Sequence, residues 1–409
     1  MPSQKKPRLA ILHYAAPPTI GGVESTIAAH ARLFADHGYP VKIIAGRGEP
    51  FDARVPVQII PMIDSRHSFV GEVNRKLANG IINSDFHALT GAISRVLKNA
   101  LADVDVCIAH NVLTLHKNLA LTSALREIIQ NENVRLVAWC HDFAWDDPVY
   151  AGELYTGLPW DLLRQKWAGV KYVVVSKARR EELARLLRLS EHEIAVVPPG
   201  LDACEFLGVT PTTARWVSDL QLFTAAPLLL LPARVTRRKN IELAIEITAA
   251  LRARGLAPKL VVMGPLGPHN PANAAYLDEL RALRRTQGVA DAVIFLHEYG
   301  LVDDAARRDL YLLADAMLFP SEREGFGIPI LEAGLARLPI FCADLAPFRE
   351  SAREHANYFK LDEPPKAIAA RIADCLARDA RYQLKQRVLR EYAWGRIFVE
   401  QIEPLVKGM

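Results

Sequence analysis

Cysteine is scarce in this chain of 409 residues. The five present (Cys107, Cys140, Cys204, Cys342 and Cys375) are odd in number and too far apart for a zinc or redox pair. They fit reduced, mostly buried thiols of a cytoplasmic protein. Charge of one sign is also missing: 50 Lys and Arg against 46 Asp and Glu leave a net charge of +4. A nucleic-acid binder would carry a dominant basic face or stripe, so no nucleic-acid partner is expected. Nor is there a long apolar run. The most apolar stretch, Ala225 to Ala233 with its four-Leu run, falls far short of the ~18 residues that cross a bilayer. The apolar segment behind Lys5, Lys6 and Arg8 ends at His13, too early for an export signal. Low-complexity tracts, short-period repeats and coiled-coil heptads are absent as well. These absences predict a cytoplasmic location and leave peripheral membrane contact open.

What the chain does have is a globular composition, with half its residues apolar and 23% charged. Its length points to two or three domains. Short apolar strands alternate with longer amphipathic segments, the pattern of a parallel sheet flanked by helices. Strands are predicted at Arg8–Leu12, Val41–Ala45, Val104–Ala109, Val134–Cys140, Tyr172–Val175 and Ile194–Val197. The pattern then loosens and restarts at Leu228–Leu231, Lys259–Met263, Ala292–Leu296, Ala316–Phe319 and a last strand from Ile340. A Pro/Gly loop (Pro17–Gly22) opens a first helix over Glu24–His37, with Gly38 as its terminator. Two domains of Rossmann type, divided near residue 205, follow from this. The tail from Ile368 to Lys407 reads as helical, with Trp394 and Phe398 as docking anchors.

Ligands of open parallel sheets sit outside the carboxyl ends of the strands, so the loops there carry the chemistry. The most specific one is Ser321-Glu322-Arg323-Glu324-Gly325-Phe326-Gly327-Ile328-Pro329-Ile330-Leu331-Glu332. Its glycines allow close backbone approach, and the helix behind them, with Pro329 as its first residue, favours an anion such as a diphosphate. Glu324 and Glu332 can accept hydrogen bonds from sugar hydroxyls. A second loop, Arg234-Val235-Thr236-Arg237-Arg238-Lys239-Asn240, sets four cations before a helix that Asn240 can cap. That placement argues for a phosphate ligand, whereas Arg179-Arg180, Arg284-Arg285 and Arg307-Arg308 read as solvated pairs. Gly21-Gly22 opens the first helix, as a phosphate-approach turn or a tight turn without a ligand. His13, His110 and His141 all fall at ends of predicted strands, along one rim. Three histidines can bind zinc, yet no carboxylate or cysteine shows metal spacing around them, so no metal is expected.

Arg234 with Lys239 five residues on, followed by Glu324 and Glu332 with seven residues between them, resembles the retaining glycosyltransferases of family 4 (glycosyl transferases group 1). Gly21-Gly22, the junction Val197-Pro198-Pro199-Gly200-Leu201-Asp202 and the Trp394 tail are similar too, apart from Pro199 where the family commonly has Asn. The resemblance implies an α/β GT-B fold, with two Rossmann-like domains facing each other across a cleft. Residues 1–205 would bind the acceptor and 206–385 the nucleotide sugar, and a helix over 386–409 would cross back to the first domain. It also implies site roles. Glu324 would bind the donor sugar with Gly325, Phe326 and Gly327, and Glu332 the ribose. Arg234 and Lys239 would neutralise the diphosphate. Gly21 and Gly22 would admit the phosphates or the acceptor. His141 would contact the transferred sugar, and His13 and His110 would lie on the acceptor side.

The implied reaction moves a hexosyl group from a nucleotide-diphosphate sugar, UDP-glucose or GDP-mannose, to a hydroxyl of a small-molecule, saccharide or lipid-linked acceptor. No cofactor is implied, the nucleotide sugar being a co-substrate. Three alternatives stand beside it: a hydrolase with Glu324 and Glu332 as paired carboxylates, a sugar-nucleotide 2-epimerase, and a protein that binds a nucleotide sugar without transferring it. The loops Asp64–Asn83 and Phe143–Trp160, where an acceptor would sit, carry no recognisable motif.

Overall fold

The computed structural model describes residues 5–19, 21–267 and 272–407. One residue of the predicted Pro17–Gly22 loop, Ile20, lies outside that set. The chain forms two compact units. One runs up to Gly200 and resumes from Tyr392, and the other is Leu201–Glu391. The divisions fall at 200/201 and 391/392, where the sequence pattern suggested one near 205 and the resemblance implied the other at 385/386. Physical ties explain both displacements. Cys204, Leu207 and Val209 pack on the second unit's core. The helix Ala380–Glu391 stays with that unit because the Lys385 ammonium donates to Asp315 at 2.7 Å.

In the first unit, seven described strands form one parallel sheet: β1 (Leu9–His13), β2 (Val41–Ala45), β3 (Val57–Ile59), β4 (Val106–His110), β5 (Arg135–Cys140), β6 (Lys171–Val174) and β7 (Ile194–Val196), in the order β3-β2-β1-β4-β5-β6-β7. The central strands are apolar throughout because helices cover both faces. Alternate residues feed separate cores: Ala10 and Leu12 join the helices Ser84–Leu101 and Leu119–Asn131, while Leu9 and Ile11 face Gly22–Asp36. The tail closes this second face. Ile397, Phe398, Ile402, Leu405 and Val406 are buried in it, the Phe398 ring sits 5.1 Å from Phe34, and Tyr39 donates to Glu403 at 2.8 Å. A Cβ on Gly200 would collide with the Trp394 indole, so that junction needs glycine for packing.

The second unit repeats the plan with β8 (Leu228–Leu231), β9 (Lys259–Val262), β10 (Val293–Phe295), β11 (Ala316–Phe319), β12 (Ile340–Ala343) and β13 (Asn357–Phe359), ordered β10-β9-β8-β11-β12-β13. The strand at Ile340 is therefore not the last, since β13 pairs beside it. Both β3 and β13 are three-residue edge strands, too short to show alternation. Strand order reverses between β1 and β4 in one unit and between β8 and β11 in the other, and such switch points open the crevice where ligands bind. No described helix is long and apolar enough to cross a membrane. The five cysteines are free thiols, three of them buried.

Candidate active site

The second unit's switch point is built from the two loops that leave β8 and β11. After β8 the chain makes one tight turn at Arg237–Lys239, and Asn240 (φ 48°) accepts a hydrogen bond from the Leu243 amide to start the helix Ile241–Ala253. This is the cap predicted from sequence. Arg234 is exposed, and no described residue forms an ion pair with it. Arg237 donates from Nη2 to both oxygens of Glu279 at 2.7 Å and rests over the Tyr276 ring. Arg238 and Lys239 turn toward Glu324, Arg238 from the exposed surface and Lys239 from a buried position. Lys239 is 8% exposed, lies 5.0 Å above the Phe319 ring and forms an ion pair with Glu324 Oε1. Arg238 Nη1 reaches Glu324 Oε2 at 3.3 Å and the Arg323 carbonyl at 3.1 Å. Burial lowers the basicity of Lys239, Arg238 and Arg234 push the same way, and only Glu324 opposes them. Arg234, Thr236, Arg237, Arg238, Lys239 and Asn273 line a cavity of about 590 Å³.

The β11 loop is tied to this one by the Glu322 amide, which donates to the Arg238 carbonyl at 2.9 Å. Its two glycines have different jobs. Gly327 has φ 98°, and a Cβ there would press on Phe348, so backbone and packing both require it. Around Gly325 a Cβ would meet nothing within 4 Å, and Phe326 beside it is exposed. The helix starts at Ile328, one residue ahead of Pro329. Glu332 Oε2 accepts from the Tyr311 hydroxyl at 2.7 Å, and Oε1 lies 3.2 Å from Arg307 Nη1. Arg307 is thus not a solvated partner of Arg308. Three more of these arginines are engaged: Arg179 with Glu182, Arg180 with Glu191, and Arg284 with the Val293 carbonyl.

In the first unit the three histidines do meet. His13 Nδ1 donates to the His110 carbonyl at 2.9 Å, and His110 Nδ1 lies 3.0 Å from His141 Nε2. Since a carbonyl can only accept, His13 carries its proton on Nδ1. Burial holds all three neutral: His141 is pushed down to about 4, His110 well below the usual imidazole range, and His13 also down. Among the described residues, no group of three or more His, Cys, Asp or Glu is arranged to hold a metal ion. Gly21 precedes the helix Gly22–Asp36, and the Glu24 carboxylate folds back over it to within 3.9 Å of His13 Nε2. Gly22 faces open space.

Two family models match this chain: glycosyl transferases group 1 over residues 213–393, and glycosyltransferase family 4 over residues 20–204. The chain belongs to these glycosyltransferases. Among curated relatives it is 34% identical over 165 residues to a D-inositol 3-phosphate glycosyltransferase of Actinosynnema mirum, a match covering 40% of this chain and 38% of that one. It is 26% identical over 275 residues to the mannosylglucosylglycerate synthase of Thermotoga maritima, covering 63% and 61%. The matches therefore span less than two thirds of these relatives' own length. A crystal structure of Anabaena Alr3699/HepE in complex with UDP and glucose is 16% identical, covers 98% of this chain and 100% of its own, and has a TM-score of 0.37.

Several residues that contact the predicted site residues within each unit escape motif reading. Asn111, directly after β4, has φ 59°; its Oδ1 accepts from the amides of His141 (2.8 Å) and Asp142 (3.2 Å), and its Nδ2 donates to Asp142. It sets the backbone that carries His141. His30 is wholly buried beside His110, Trp139 and Trp394, neither ring nitrogen has a hydrogen-bond partner among the described residues, and its pKa is driven down to about 3 by burial, with His141 adding. Arg238, Arg307 and Tyr311 complete the second unit's set. A surplus cation beside Lys239 was visible in sequence, but the partners of Glu332 lie on the preceding helix, and no local signal links them.

Proposed function

We propose that the protein transfers a hexosyl group from a nucleotide-diphosphate sugar, UDP-glucose or GDP-mannose, to a hydroxyl of a sugar, glycoside or lipid-linked acceptor, with retention at the anomeric carbon and without a metal. One observation carries this: Arg234 and Lys239 line one cavity at the β8/β11 switch point, and Lys239 is joined there to Glu324. Breaking the anomeric C–O bond puts charge on the departing diphosphate. Fixed cations and amides aimed at it stabilise the transition state more than the ground state. Arg234 and Lys239 take that role in the proposal. Glu324, with the amides of Gly325, Phe326 and Gly327, binds the sugar, and Glu332 binds the ribose.

Retention on one face needs no protein nucleophile, because the leaving phosphate oxygen can take the acceptor's proton. His141, with His110 behind it, contacts the transferred sugar in this scheme. The first unit supplies the acceptor site. A cavity of about 320 Å³, within the size range of small-ligand pockets, is lined there by Asn74, His116, Lys117, Glu153 and Trp160. A hydrolase with Glu324 and Glu332 as paired carboxylates is disfavoured, because both oxygens of Glu324 are engaged by cations that such a reaction does not use.

The test incubates the protein with UDP-glucose and with GDP-mannose, with and without a chelator, and scores free sugar, epimer and new glycoside. Thermal shift is followed in parallel. A donor at 100 times its dissociation constant should add about 2.7 kcal/mol of apparent stability. Stabilisation by no nucleotide sugar overturns the proposal, and loss of product with chelator, restored by one divalent ion, overturns its metal-independence.

A further inference from the structure

We infer that Tyr311, together with Arg307, is a positioning residue that fixes the Glu332 carboxylate so that the site selects a ribonucleoside over a deoxyribonucleoside diphosphate. The inference rests on the donor assignment above, in which Glu332 meets the ribose. Both residues belong to the helix Asp304–Leu313, four residues apart and so on one face of it, and that helix leads into β11. Glu332 sits on the helix that leaves β11 by way of the glycine loop. The strand between them brings the two helices together, which sequence spacing alone does not reveal.

The chemistry of the contact is one-directional. Tyr311 is 4% exposed, and its hydroxyl donates to Glu332 Oε2 at 2.7 Å, its single hydrogen bond among the described residues. Burial raises the phenol's pKa and the neighbouring carboxylate raises it further, so the hydroxyl keeps its proton. Arg307 holds the other oxygen at 3.2 Å while sharing itself with Asp304 at 3.4 Å. One oxygen is thus taken from beneath by a buried donor and the other from the side by a half-exposed cation. Each oxygen keeps a second lone pair for a ligand hydroxyl.

A carboxylate gripped in this way has lost its rotation before the ligand arrives. A vicinal diol then meets an acceptor already oriented, and the ordering cost is not charged to binding. A sugar lacking one of those hydroxyls leaves an oriented acceptor unmatched, and sites built to bind a hydroxyl reject such analogues more strongly than apolar pockets reject a missing methylene.

The test measures dissociation constants by calorimetry for UDP, GDP and ADP and for their 2′-deoxy and 3′-deoxy counterparts. Wild-type protein should bind at least one ribonucleoside diphosphate about tenfold or more tightly than its deoxy forms. Tyr311→Phe should weaken the ribonucleotide by about threefold to tenfold, the scale of one hydrogen bond, and leave the deoxy forms unchanged, so the ratio collapses. Arg307→Gln should reduce the ratio about threefold. A merely structural role for Tyr311 would lower the melting temperature without changing the ratio. If the wild type discriminates and the ratio is unchanged in the folded variants, the positioning role is overturned while the donor assignment stands. Should Tyr311→Phe fail to fold, an unchanged ratio in Arg307→Gln overturns it alone. If wild-type protein binds no ribonucleoside diphosphate, the donor assignment itself falls.

Discussion

The two units share one layout and use it for opposite chemistry. At the β8/β11 switch point the rim is charged: Arg238 and Lys239 clasp Glu324, Arg307 holds Glu332, and Arg234 has no ion-pair partner among the described residues. At the β1/β4 switch point the imidazoles are neutral: burial keeps His13, His110 and His141 from taking up a second ring proton, and they share hydrogen bonds with each other and with backbone beside the Glu24 and Asp142 carboxylates. The contrast shows how one strand order can serve two tasks. Paired charges stay buried at tolerable cost until an anion competes for the cations. Neutral ring nitrogens, each donor or acceptor according to its tautomer, suit hydroxyl groups, which need both.

The largest expected effect strikes the charged rim. Lys239→Ala and Arg234→Ala should each lower turnover at saturating donor by about 10²–10³, the usual consequence of losing one group that stabilises developing negative charge. Arg234→Ala tests this most cleanly, since no ion pair among the described residues is lost with it. Lys239→Ala also leaves Glu324 with Arg238 alone, so its melting temperature must be read beside its rate. Wild-type turnover in either variant would erase the functional distinction between the two rims.

Much of that rim could be read from sequence because its parts are local. A strand, a loop with four cations and a capped helix follow one another within a few residues, and Glu324 and Glu332 lie on a single loop and helix. The first unit was less legible. The three histidines could be placed on one rim from strand ends, but the placing of His141 against His110 depends on Asn111, whose side chain holds the His141 amide from a left-handed backbone and appears only in three dimensions. His30 sits on the apolar face of a helix, where composition gives it no distinction. Arg307 looked like half of a solvated pair because its partner, Glu332, comes from the helix beyond the next strand. The three-residue strands β3 and β13 carry too little pattern to be seen.

An intermediate effect sharpens the comparison through pH. An unfolded histidine titrates near 6.5, whereas His30 and His141 are held down to about 3 and about 4 by burial. Between those values and 6.5 the unfolded chain binds more protons than the folded one. Stability therefore rises with pH across the window and levels off above 6.5. Acidification from pH 7 to pH 4.5 should cost several kcal/mol from these imidazoles, at about 1.4 kcal/mol per pH unit for each fully shifted group. His30→Phe keeps a ring against Trp139 while removing two nitrogens that have no hydrogen-bond partner among the described residues. Its unfolding midpoint should be less sensitive to pH than that of the wild type. An identical slope would mean that burial does not hold His30 neutral at the expense of protonation.

The smallest effect separates glycines kept for the fold from those kept for a ligand. Gly327→Ala must place a side chain at φ 98° and against Phe348, so it should lower the melting temperature by several degrees. Gly325→Ala meets nothing within 4 Å and has no positive φ to oppose it, so the melting temperature should hold. What the added methyl should change is donor binding, by a few-fold increase in KM with kcat nearly kept, because it enters the space in which the sugar is proposed to lie against the loop amides. Gly22→Ala offers the same comparison in the neutral unit, where open space also surrounds the glycine. A rise in KM at Gly325 but not at Gly22 would confine donor contact to the charged rim. A rise at both would extend it to the first helix of the neutral unit.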